Sequence, residues 1–106
     1  MIQAKPKVVF MFWAPGADPA EHRTTVFLDS MELTVVGVRD YNQAVEVAQD
    51  LVKEGVTVIE LCAGFGNVGA AKVAEAAKGV PVGVVRFDIH PAFQGKSGDQ
   101  VLGLAP

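Results

Sequence analysis

The sequence predicts an α/β domain built on a parallel sheet, and three observations carry that expectation. Across residues 34–87 the chain reads strand, helix, strand, helix, strand, which makes two successive crossover units with right-handed connections. The run from Lys7 to Trp13, KVVFMFW, shows no polar alternation, as expected of a central strand covered on both faces. Apolar residues make up 50% of the 106-residue chain, charged residues 20%, and mean hydropathy is +0.30, which excludes disorder and suits one folding unit. The expected architecture is therefore a two- or three-layer α/β sheet of βαβαβ units, with a hairpin strand added from residues 24–38. Residues 1–90 form the domain, and residues 91–106 form a glycine-rich loop or arm that packs on the domain or on a neighbouring subunit.

Each element has its own signal. The strand at Lys7–Trp13 ends at Ala14-Pro15-Gly16. Asp18, Pro19 and Glu21 have the form of a helix start of one or two turns, with Asp18 as N-cap and Pro19 at the first helical position. From Thr24 to Leu28 the composition is strand-like, and Asp29-Ser30-Met31 can reverse the chain into Glu32–Val38. Asp40 with Gln43 resembles a capping box, and Ala44, Val45, Val47, Ala48, Leu51 and Val52 form one helical stripe closed by Gly55. Val56–Leu61 reads as the next strand. Asn67 can cap a helix that runs to about Lys78 before Gly79, and Val80–Phe87 reads as the last strand, with Pro81 near its start.

Composition narrows the partners. Nine Lys and Arg against twelve Asp and Glu give a net charge of −3 and a pI near 5.2, with no basic run, so a nucleic-acid footprint is missing. The longest apolar run, Val8 to Ala14, is too short to span a bilayer, and Met1–Lys7 lacks the layout of a signal peptide. One cysteine, Cys62, forbids an intramolecular disulfide, and the cytoplasm is the expected location. So much apolar surface on so small a domain points to a homo-oligomer.

In open parallel sheets ligands sit beyond the carboxyl ends of the strands, and this chain keeps its unusual polar residues there. Gly64-Phe65-Gly66-Asn67-Val68-Gly69 is a GxGxxG string between a strand and a helix, suited to an anion at the helix N-terminus or to a tight turn under an alanine-rich helix. Arg86 and Arg39 can neutralise a ligand's charge, and Trp13 and His22 stand on the same rim. Glu60 and Cys62 fall on one strand face. Glu60 can equally pair with Arg86 across the sheet, and Cys62 can equally be a small core group. In Arg86-Phe87-Asp88-Ile89-His90-Pro91 polar and apolar residues alternate, so that Asp88 could orient the His90 ring as a general acid/base pair. His22, Cys62, Asp88 and His90 have metal-ligand chemistry but no recognised metal spacing, so no metal and no cofactor is expected. Gly95-Lys96-Ser97 matches the end of a P-loop, but His90 stands where that motif needs glycine, and no helix is expected after it.

The strings Ile59-Glu60-Leu61-Cys62-Ala63-Gly64-Phe65-Gly66 and Val84-Val85-Arg86-Phe87-Asp88-Ile89-His90-Pro91, with Pro15-Gly16, Asp18-Pro19 and Val36–Arg39, resemble a family of short bacterial proteins of unknown function. The resemblance spans nearly the whole chain and implies no mechanism. The cadence of residues 41–87 is also similar to pieces of β/α-barrel aldolases, without their catalytic lysine.

Three functions are compatible with these residues. The leading one is binding of a small carboxylate or phosphate metabolite, with cofactor-free isomerase or lyase chemistry at Asp88, His90, Glu60 and Cys62 if the ligand is turned over. A second is a non-catalytic oligomeric binding or scaffold protein. The third is a nucleotide-binding domain that uses the GxGxxG turn.

Overall fold

The computed structural model describes residues 5–87 and 91–105. Its elements are β1 (Lys7–Trp13), β2 (Arg23–Phe27), β3 (Glu32–Val38), α1 (Tyr41–Lys53), β4 (Val58–Leu61), α2 (Asn67–Ala76) and β5 (Val82–Val84), followed by a 3₁₀ turn at Pro91–Phe93 and a one-turn helix α3 (Gly98–Val101). The five strands form one sheet in the order β2-β3-β1-β4-β5. β3, β1, β4 and β5 run parallel, and β2 lies antiparallel on the β3 edge as the first arm of a hairpin. The α/β class read from the sequence, its crossover units and its added hairpin strand are all present.

The sheet has two unlike faces. Val9, Met11 and Trp13 of β1 join Val36 and Val38 of β3 and Ile59 and Leu61 of β4 in one core cluster. Helix α1 covers this cluster with Ala44, Val47, Ala48 and Leu51, and α2 adds Val73 and Ala77. Burial of each large side chain, such as Met11, Leu51 or Ile59, contributes about 1.5–3 kcal/mol relative to leaving it in water. The alternate residues Val8, Phe10 and Phe12, with Leu33, Val35 and Val58, are only half-buried on the other face. Both helices therefore lie on one side, and the arrangement has two layers rather than three.

Several local expectations are corrected. Asp18–His22 forms a single closed turn and no helix: the Asp18 carboxylate accepts from the Ala20 N–H, and its carbonyl accepts from the Glu21 and His22 N–H groups. The chain enters β2 at Arg23, so there is no room to propagate a helix past its costly first turn. Asp40 caps α1 by accepting from the Gln43 N–H, but the Gln43 side chain reaches back to the Arg39 N–H instead of the cap's own. The N-cap of α2 is Gly66, not Asn67, with no cap from its own side chain, and the helix ends at Ala76. β4 begins at Val58 and β5 is only three residues long. Ser97, the end of the P-loop-like string, caps α3 in a reciprocal box with Gln100, so a short helix does follow it.

Candidate functional site

The carboxyl ends of β1, β3 and β4 are roofed by the chain's own C-terminal segment. Trp13, delivered by β1, donates its indole N–H to the Gly64 carbonyl at 2.7 Å and stacks on Phe93 with ring centres 5.3 Å apart. Tyr41, the first residue of α1, meets Trp13 edge-on at 6.3 Å and stacks on Phe65 at 5.3 Å. Its hydroxyl accepts from the Gly66 N–H at 2.9 Å and donates to the Asp99 carboxylate at 3.2 Å. Burial pushes this phenol up to about 12, opposed by the Gly66 N–H and reinforced by the neighbouring Asp99 charge.

Asp99 is the unexpected centre of the region. The residue is only 6% exposed, and its carboxylate accepts from the N–H groups of Val68 at 2.9 Å and Gly69 at 3.2 Å as well as from Tyr41. These are N–H groups in the first turn of α2, where a helix presents orphan donors and the positive end of its dipole. The anion expected at the GxGxxG turn is thus supplied by the protein itself. The glycines follow from this arrangement. A Cβ on Gly66 would run into the Asp99 carboxylate, and one on Gly69 would run into the Tyr41 ring.

Beside this roof lies a hollow of about 190 Å³. It is lined by Gly66 and Asn67 from the glycine turn, Val84 to Phe87 from the end of β5, and Ser97 to Asp99 from the start of α3, with Ala63 and Phe65 beneath. Arg86 is the cationic residue of the lining. The Ser97 hydroxyl oxygen accepts from the Gln100 N–H and keeps its own proton to donate.

Of the residues singled out by sequence, Gly66, Asn67 and Arg86 meet around this hollow, and Gly64 and Trp13 stand next to it in the roof. Cys62 is half-buried and packs against the core cluster, its sulfur 3.3 Å from where a Cβ on Gly64 would stand. Glu60 does not join Cys62: it is exposed in register with Phe10 and Gly83, on the sheet face away from the helices. The alternative of a Glu60–Arg86 pair is not realised: Arg86 lines the hollow at the carboxyl edge, and Glu60 is exposed on the outer sheet face. His22 belongs to the turn before β2, where its Nδ1 accepts from the Asp18 N–H. Arg39 is exposed, with its nearest carboxylate, Asp40, at 3.8 Å. Asp88 and His90 lie outside the described residues. Among the described residues no group of three or more His, Cys, Asp or Glu side chains could hold a metal ion.

Sequence reasoning missed Asp99, Tyr41, Phe93 and Ser97. Ser97 and Gln100 carry the S-x-x-Q spacing of a capping box, which marks α3 and would have drawn attention to Asp99 within it. Nothing local marks Tyr41 as its partner across 58 residues.

The fold and site define a two-layer α/β protein whose carboxyl-edge crevice is closed by its own C-terminal strap. The chain belongs to a family of unknown function (DUF6506), which matches residues 6–100 and so takes in Asp99. No curated protein and no solved structure matches it. Among the described residues no helix is long and apolar enough to cross a membrane.

Proposed function

We propose that this protein binds a small carboxylate- or phosphate-bearing molecule in the hollow between the glycine turn, the end of β5 and the first turn of α3. The observation that carries this reading is the convergence of Arg86, Asn67 and Ser97, three hydrogen-bond donors from three separate elements, on one concave site at the carboxyl edge of the sheet. A guanidinium with two neutral donors suits a planar carboxylate or a phosphate. Asp99 lines the same hollow, and the α2 N–H groups offset part of its charge, so it opposes a ligand anion less than a free carboxylate would.

Size limits the ligand. The hollow, about 190 Å³, is smaller than the usual pocket for a drug-sized ligand, so a nucleotide would have to extend well beyond it. The nucleotide reading is further weakened because the Val68 and Gly69 N–H groups, which would have to cradle a phosphate, are bonded to Asp99. The proposed ligand is accordingly a small acid.

The test is titration of the isotope-labelled intact chain with a panel of small carboxylates and phosphates, following backbone amide shifts. At least one acid should move the signals of Asn67, Arg86 and Ser97 together, and Arg86→Gln should weaken its binding by about 1.5–3 kcal/mol, tenfold or more. Absence of any shift at millimolar ligand overturns the reading.

A further inference from the structure

The sheet face opposite the helices carries an inference that goes beyond ligand binding. Strand alternation sends Val8, Phe10, Leu33, Val35 and Val26 to this side, and no helix of the described residues packs on it. Val26 is 52% exposed. Parallel sheets occur almost only with both faces covered, and the unbroken apolar run of β1 is the sequence of a strand buried on two sides. Here one side is only half-buried, with no layer of the described residues over it.

We infer that a second copy of this chain covers the face, sheet against sheet. The area suits a weak association. At about 3.3 Å per residue and about 4.8 Å between strands, the five strands present a flat footprint of roughly 400 Å² per copy. Two such faces make about 800 Å² before side-chain relief, and with the flanking Val85, 47% exposed, they fall in the range of weak, concentration-dependent interfaces below about 1,200 Å².

Shape fits an identical partner. The Phe12 ring lies over Gly37, within 2.5 Å of where a Cβ would stand, so it is laid down on the sheet rather than raised from it. The face is therefore flat, and a sheet of the same twist is its natural complement, since stacked sheets keep their strands within about 30° of each other. Glu60 is the one ionic side chain that the strands turn to this side, and Glu21 and Arg23 border it beside Phe12 and Val35, so the face offers no run of one sign for a polyanion or a basic peptide. An isologous contact uses the same patch twice.

Sedimentation velocity of the full chain, from low micromolar to millimolar concentration, tests the inference. The mass should rise from that of one chain, 11.2 kDa, to twice that value. Val35→Lys places a charge at the centre of the contact, and Val26→Lys places one on the exposed edge strand, where folding tolerates it. Each should weaken association tenfold or more while leaving the circular dichroism spectrum unchanged, whereas Val68→Lys, on α2, should leave association as in the parent. A chain that stays monomeric at millimolar concentration overturns the inference, and so does a dimer that Val26→Lys and Val35→Lys leave intact. Neither outcome touches the ligand site, which lies at the carboxyl edge.

Discussion

Asp99 shows how one side chain can decide what a site is for. A buried carboxylate is costly unless its oxygens find donors, and here two backbone N–H groups and one phenol provide them. Asp99→Asn keeps the shape but removes the charge from the positive end of α2, and turns an amide N–H₂ toward groups that are themselves donors. It should cost about 1–3 kcal/mol, read as a lowered urea midpoint with an unchanged slope. A loss below about 0.5 kcal/mol, the level of an ordinary surface change, would show that the cap does not hold the helix. Tyr41 gives a second readout of the same cluster, and it is the chain's only tyrosine. With its phenol pushed up to about 12 by burial, the native state keeps the proton between about pH 10 and 12 while the unfolded chain releases it. The stabilisation is therefore complete below pH 10 and declines as pH rises through the folded value. Phenolate absorbance of the folded protein should have its midpoint near 12, and a midpoint near 10 would mean that the ring is open to water.

At the scale of elements, the legible parts are those whose signals are local. The apolar run of β1, the stripe of α1 and the turn at Gly55 depend on neighbours three or four residues away, and all appear where the sequence puts them. The helix expected at Asp18 shows the limit: a good N-cap cannot sustain a helix when Arg23 is drawn into pairing with Val36 only a few residues on. Element ends shifted for a similar reason. β5 stops at Val84 because the ladder has only β4 to pair with, and β4 itself ends at Leu61. The site was half legible. Glycine spacing located the turn, and Arg86 was recognised as a rim cation, because both belong to a strand-turn-helix pattern. That the turn was already occupied could not be read, since Asp99 reaches it from a glycine-rich tail 30 residues further along. Glu60 was misplaced by treating Cys62 as a continuation of its strand, whereas β4 has ended and Cys62 packs against the core.

For the whole molecule, the two layers and the strap act at separate surfaces: helices close one sheet face, the C-terminal segment closes the carboxyl edge, and among the described residues no helix packs on the other face, where we place association. This division makes the strap separable from assembly. A chain ending after residue 90 loses the Asp99 cap and the Phe93 ring that covers Trp13, which is otherwise 7% exposed. Loss of the cap costs about 1–3 kcal/mol, and loss of a half-buried aromatic adds about 1–2 kcal/mol. Set against the 5–15 kcal/mol of an ordinary domain, at roughly 4–8 °C per kcal/mol, the truncated chain should still fold but melt roughly 8–40 °C lower. Trp13 emission should shift to the red as water reaches the indole. Because the strap lies at the carboxyl edge, the shortened chain should associate like the parent at a temperature where both are folded. Unchanged melting and emission would mean that the tail merely rests on the domain. Dissociation of the folded, shortened chain would instead place residues 91–106 in the contact between copies and move the interface from the sheet face to the strap.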